Sequence, residues 1–165
     1  MDWKRIARHL FVLPGAVSRA FPARAMNAIE QAIAAGEAQH GGEVRFAVEP
    51  ALEPLPLLRG QSARERALEV FAQLRLWDTD ERNGVLIYLL LAERDLEIVA
   101  DRGVNARVSA QEWESICRTM EMSLTKGHYG EAVVAGIEAA SRLLARHFPR
   151  RAGDRNELPD RPVRL

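Results

Sequence analysis

The sequence predicts an α/β fold: a small mixed β-sheet, made of a parallel crossover plus an antiparallel hairpin, sandwiched by helices as a Rossmann-like three-layer single domain. Three observations predict it. Glu43 to Glu49 alternates apolar Val44, Phe46 and Val48 with charged Glu43, Arg45 and Glu49, the period of a strand with one wet face. Val85 to Ala92 is apolar on both faces, as in a central strand covered by helices on each side. Around these strands, apolar residues recur every three or four positions, so helices form the outer layers.

The elements follow in order. Between Asp2 and Leu13, Trp3, Ile6, Ala7 and Leu10 recur at helical spacing among Lys4, Arg5, Arg8 and His9, so residues 1–20 are expected to carry a basic amphipathic helix. Such a helix either docks its apolar stripe on its own domain or lies on an anionic membrane surface. Residues 21–149 form the α/β domain. Its first helix places Met26, Ile29, Ile33 and Gly36 on one side, with Pro22 near its start and Gly41-Gly42 beyond its end. After the first strand, Pro50, Pro54 and Pro56 predict an irregular segment through Gln61.

Ser62-Ala63-Arg64-Glu65 is a capping box that opens a helix burying Ala67, Val70, Phe71 and Leu74. The second strand is followed by a tight reversal at Arg94-Asp95, a register that would set Val104 opposite Val85. A second capping box, Ser109-Ala110-Gln111-Glu112, starts a helix that buries Trp113, Ile116, Cys117 and Met120 and stops at Gly127. Tyr129 to Phe148 is the last helix. Residues 150–165, rich in Arg with Pro and Gly breaks and without apolar periodicity, are expected to form a disordered tail.

Composition narrows the function classes. At 165 residues, 47% of them hydrophobic, the chain can bury one good core and is too short for two ordinary domains. The net charge is zero but unevenly spread: residues 25–149 hold 13 basic and 19 acidic side chains, while both ends are basic. An acidic body in a chain with only two Lys is a poor nucleic-acid surface, so no nucleic-acid partner is expected. The single Cys117 fits a reducing compartment, and no apolar run reaches the length of a membrane span, which together predict a cytoplasmic protein. His9, His40, His128 and His147 lack metal-ligand spacing and read as helix-end or surface residues; Cys117 reads as a buried inert thiol, and Trp77 and Trp113 as core.

One stretch carries candidate chemistry. Trp77-Asp78-Thr79-Asp80-Glu81-Arg82-Asn83-Gly84 is an acidic loop running straight into the second strand. Because the third strand runs back along the second, Asp101 and Arg102 return to the end where Asp78, Asp80 and Asn83 enter the sheet. Calcium and magnesium take carboxylate, amide and carbonyl oxygens on adaptable loops, so Asp78, Asp80, Asn83 and Asp101 are candidate ligands. The same residues are also ordinary turn formers before a strand. The loop is not an EF-hand, because Arg82 stands where an acid is needed and no Glu closes it.

Taken as a set, Ala28-Ile29, Gly42-Glu43-Val44-Arg45, Ala67 to Phe71, Asp78-Thr79, Arg82-Asn83-Gly84-Val85-Leu86-Ile87, Asp101-Arg102-Gly103, Trp113 and His147-Phe148-Pro149 resemble the TPM domain family. That family is known from thylakoid-lumen and photosystem-repair proteins and a receptor modulator; the likeness is to a short form without signal peptide or membrane helix. The resemblance implies divalent-cation binding at an acidic rim, here Asp78, Asn83 and Asp101 with Asp80 an addition. Where many members carry a Gly-Tyr-Gly turn after the third strand, this chain has Arg102-Gly103-Val104-Asn105. The expected function is a non-catalytic cation-binding or protein-interaction module serving a protein partner, with peripheral membrane contact through the first helix. The alternative is a metal-assisted phosphatase, in which a cation at Asp78 and Asp101 polarises a phosphate oxygen and Arg102 neutralises developing charge.

Overall fold

Strand β1 (Glu43–Glu49) is the buried seam of a four-stranded sheet in the computed structural model, which describes residues 2–165. It pairs in parallel with β2 (Gly84–Leu90), from Glu43 opposite Gly84 to Glu49 opposite Leu90. β3 (Asp95–Ala100) runs antiparallel beside β2, and β4 (Val163–Arg164) adds two parallel residues to the outer edge of β1, so the order is β3-β2-β1-β4. Helices α1 (Trp3–Leu10), α2 (Ala16–Ala20) and α3 (Ala23–Glu37) precede β1, and α4 (Pro54–Leu58) and α5 (Ala63–Gln73) link β1 to β2. Helices α6 (Arg102–Asn105), α7 (Ala110–Thr125) and α8 (Tyr129–His147) follow β3.

Strand alternation divides the core in two. Val44, Phe46, Val48, Val85, Ile87, Leu89 and Ile98 pack with Ile29 and Ile33 of α3, Met120 of α7 and Val133 and Ile137 of α8. Ala47, Leu86, Tyr88, Leu90 and Val99 point the other way, onto Ala67, Val70 and Phe71 of α5. The three expected layers are therefore present, with the sheet in the middle and no barrel closure. Both capping boxes form: Ser62 Oγ accepts from Glu65 N and Ser109 Oγ from Glu112 N, and each Glu reaches back to its Ser amide.

Four expectations are corrected. The hairpin turns over Leu91–Arg94, with Leu90 opposite Asp95 and Val85 opposite Ala100, four residues short of the expected register. Leu91 and Ala92 look like strand in sequence, but their amides donate to Glu49 O (2.9 Å) and Pro50 O (3.0 Å), and Arg94 takes a left-handed φ of 52°. Val104 consequently lies in α6 instead of the sheet. The Pro50–Gln61 segment contains α4, because Pro54 stands in its first turn, where a missing amide hydrogen loses no bond.

Residues 150–165 are not a disordered tail. They run beside the outer edge of β1 and supply β4, with Leu165 N donating to Val48 O (3.0 Å) and Arg164 Nη2 to Phe21 O (3.0 Å). The helix expected within residues 1–20 spans Trp3–Leu10, residue 1 lying outside the described range, and it docks through Arg5, His9 and the single stripe residue Ile6, leaving Trp3 and Leu10 exposed. Among the described residues, no helix is long and apolar enough to cross a membrane.

Candidate functional site

The loop between α5 and β2 is shaped by its own hydrogen bonds. Arg82 N donates to Thr79 O (3.1 Å) and Asn83 N to the buried Thr79 hydroxyl (3.1 Å), so the chain curls before entering β2. Arg82 adopts a left-handed φ of 53° to make the bend. Gly84 then presses so closely on the turn that follows α5 that a Cβ there would lie 2.1 Å from Leu76 O. Only glycine fits this approach, which fixes where the strand begins.

Asn83 is 2% exposed and ties the loop to the entry of β1: its Nδ2 donates to Gly41 O (2.6 Å) and its carbonyl accepts from Glu43 N (3.3 Å). The Gly41 bond fixes which way the amide faces and leaves Asn83 Oδ1 buried without a donor. Asp101 arrives at the same place from β3. Its amide donates to Gly84 O (2.9 Å), and its Oδ1 accepts from Arg102 N (2.7 Å) as the cap of α6. Asp101 Oδ2 is likewise buried and without a donor.

The first turn of α6 closes the arrangement. Gly103 N donates to Arg82 O (3.0 Å), and a Cβ at Gly103 would sit 2.6 Å from the carbonyl oxygens of both Glu81 and Arg82. Two side-chain oxygens lacking donors thus occupy one rim of the sheet, beside backbone carbonyls. Buried acceptors left unpaired cost roughly 1–3 kcal/mol each, so they mark places where a water or ion belongs.

Asp78 and Asp80 behave differently. Both are exposed on the loop; Asp80 presents its amide to the Glu157 carboxylate (3.3 Å to each oxygen), and neighbouring Glu81 pairs with Arg151 at 2.7 Å. The structure therefore brings Asn83 and Asp101 together and leaves the two loop aspartates toward solvent. Among the described residues, no three His, Cys, Asp or Glu side chains converge as a metal-ligand group.

Residues 19–143 match the model of the TPM domain. The chain belongs to the TPM domain family. An NMR structure of BA42 from the psychrophilic bacterium Bizionia argentinensis is similar: identity is 30%, the TM-score is 0.78, and the alignment covers 88% of this chain and 95% of that one. The N-terminal domain of a P. gingivalis protein, also solved by NMR, shares the fold at 18% identity with a TM-score of 0.57, covering 86% and 83% of the two chains. No curated protein is similar in sequence.

This TPM domain also holds a polar cluster that sequence reasoning read only as the wet face of a strand. The Glu43 carboxylate accepts from Glu157 N (2.9 Å) and Leu158 N (3.1 Å), and burial raises its pKa. Glu37 Oε1 accepts from Val44 N (2.8 Å), and burial pushes its carboxyl up to about 9, with Glu43 and Asp160 nearby adding to the rise. Arg45 is buried among Asp160, Glu37 and Glu43, its pKa lowered by desolvation. The signal in sequence was the run of charge in β1, a strand every residue of which is buried.

The remaining candidates divide. His9 does lie at a helix end, in the last turn of α1, but both it and His40 are buried, and burial lowers His40 to about 4. Cys117 is half-buried with its thiol pushed up to about 12 by desolvation, the property of an unreactive sulfur. Trp113 is core, whereas Trp77 is exposed and donates from Nε1 to Ala72 O (3.3 Å).

Proposed function

We propose that this TPM domain is a divalent-cation-binding interaction module rather than an enzyme, with calcium or magnesium held at the rim of β2 and β3. One observation carries the reading: Asn83 Oδ1 and Asp101 Oδ2 are both buried, both without donors, and joined through the bond from Asp101 N to Gly84 O. Hard cations take such carboxylate and amide oxygens, together with loop carbonyls, at about 2.0–2.6 Å. The exposed carboxylates of Asp78 and Asp80 supply further oxygens when the loop draws in over the ion. The rim's chemistry is that of acceptor oxygens, and the Cys117 thiol, held up to about 12, is a poor nucleophile. The lone thiol fits a reducing compartment such as the cytoplasm.

Thermal melting in calcium and in magnesium tests the proposal. A ligand bound only by the folded state at a hundredfold excess over Kd adds about 2.7 kcal/mol, or roughly 5–11 °C for a domain of this size. Asp101→Asn and Asn83→Ala should each abolish most of that rise, and Asp78→Asn should reduce it. Wild-type melting indifferent to both cations at millimolar concentration would overturn the reading. Turnover of a chromogenic phosphate ester, lost on chelation and in Asp78→Ala, would move the function to a metal-assisted phosphatase.

A further inference from the structure

Helix α1 is docked by the wrong side for a soluble amphipathic helix. Arg5 Nε donates to Glu93 Oε1 (2.8 Å) and Arg5 Nη2 to Gln61 O (2.6 Å). One turn on, His9 Nδ1 accepts from Leu52 N (3.0 Å), so the proton lies on Nε2, which donates to Glu93 Oε1 (2.6 Å). Ile6, half-buried, is the apolar residue of the helix that packs on the core beneath α5. Residues three and four apart share a helix face, so anchoring by Arg5 and His9 turns Trp3, Ala7 and Leu10 away from the anchor.

The consequence is an exposed apolar surface. Trp3 is 71% and Phe11 81% exposed, with Leu10 and Leu13 beside them in the chain. Helix α4 adds exposed Leu55 and Leu58; it lies between Leu52 and Gln61, the two residues whose backbones bond α1. Six of the ten large exposed hydrophobics of the described residues fall in these two short segments. Such clustering is what marks a contact surface, since singly scattered apolar residues carry no message. Lys4, Arg8 and Arg59 are also exposed there and make no ion pair among the described residues, whereas Arg5 is neutralised by Glu93.

The geometry points to this α1–α4 surface as a docking site for an anionic lipid bilayer. A tryptophan, a phenylalanine and leucines at the headgroup depth, flanked by lysine and arginine that reach phosphate oxygens, is the pattern of an interfacial helix. A protein groove would be met by the apolar residues alone; the unpaired cations are what select a negatively charged surface. The polar anchor holds the helix in this orientation, so the surface is presented without refolding.

Flotation of the full chain with vesicles tests this. Wild type is expected to float with phosphatidylcholine vesicles containing phosphatidylglycerol, and not with phosphatidylcholine alone, with binding that weakens as salt rises. Trp3→Ser combined with Phe11→Ser should lower partitioning at least about tenfold. Lys4→Glu with Arg8→Glu should do the same, and neither pair should change the melting temperature, since these side chains touch solvent. Leu68→Ser, an exposed apolar residue on α5, should leave binding as in wild type. Failure of wild type to float, or variants that float equally well, would overturn the proposal. So would a wild-type dimer that ignores vesicles and falls apart in Trp3→Ser with Phe11→Ser, because the patch would then be covered by a second copy.

Discussion

Replacing Gly84 by alanine strikes the point on which the rim is built. The added methyl would lie 2.1 Å from Leu76 O, 3.0 Å from Leu76 C and 3.2 Å from Leu76 Cβ, so two of its three close neighbours are backbone and cannot rotate aside. Relief requires β2 or the turn after α5 to move by about 1 Å, in a region where Leu76 and every residue of β2 are buried. Overpacking of this kind costs about 1–3 kcal/mol, and a backbone obstacle puts Gly84→Ala at about 3 kcal/mol. For a domain of this length that is roughly a 6–12 °C fall in Tm. Gly60→Ala is the control, because its Cβ meets nothing within 4 Å and only a φ of +82° opposes it, for about 1 kcal/mol. Urea unfolding followed by circular dichroism measures both. If Gly84→Ala loses no more stability than Gly60→Ala, the close approach that sets the start of β2 is not there.

Two further outcomes are expected. The folded pKa of Glu37, about 9 against 4.5 when unfolded, means the folded state keeps a proton that the unfolded chain releases. Stability is then fullest below about pH 4.5 and falls as pH rises toward 9, by up to about 1.4 kcal/mol per pH unit. Glu37→Gln, neutral throughout, should flatten that slope, so its stability gain over wild type grows between about pH 5 and 8; parallel pH profiles from urea melts would count against the buried acid. Glu43→Ala removes the acceptor for two tail amides and should cost about 2 kcal/mol, the desolvation of the buried carboxylate offsetting part of the two bonds. Trypsin should then cut faster after Arg155, and an unchanged cleavage rate would show that the tail is held by something else.

What was legible in the chain was what depends on short-range pattern. β1 lies where alternation put it, and both capping boxes open helices because Ser and Glu three apart satisfy local amides whatever the distant context. The meeting of Asp101 with the Asn83-Gly84 bend followed from hairpin topology and survived a register error of four, since Asp101 directly follows β3 and bonds Gly84. The error arose because Leu91 and Ala92 are apolar yet bond the continuation of β1 instead of β3. The tail was illegible for a different reason. Its hold depends on the Glu43 carboxylate meeting the amides of Glu157 and Leu158 and on Arg150 donating to Glu37 O, contacts that each span more than a hundred residues, and a two-residue strand has no period to detect. The outward tryptophan of α1 was hidden because amphipathicity reveals two faces without saying which one the domain takes.

The covering of β1 by Val163 and Arg164 has a practical corollary for anyone shortening this chain. Cropping it to residues 19–143, the stretch that matches the family, discards the one strand that neighbours β1 on that flank among the described residues. The naked amides and carbonyls would then be a template for strand-to-strand polymerisation, next to carboxylates robbed of their internal donors. A well-behaved fragment should therefore run to Leu165, even though the family's own signature ends some twenty residues earlier.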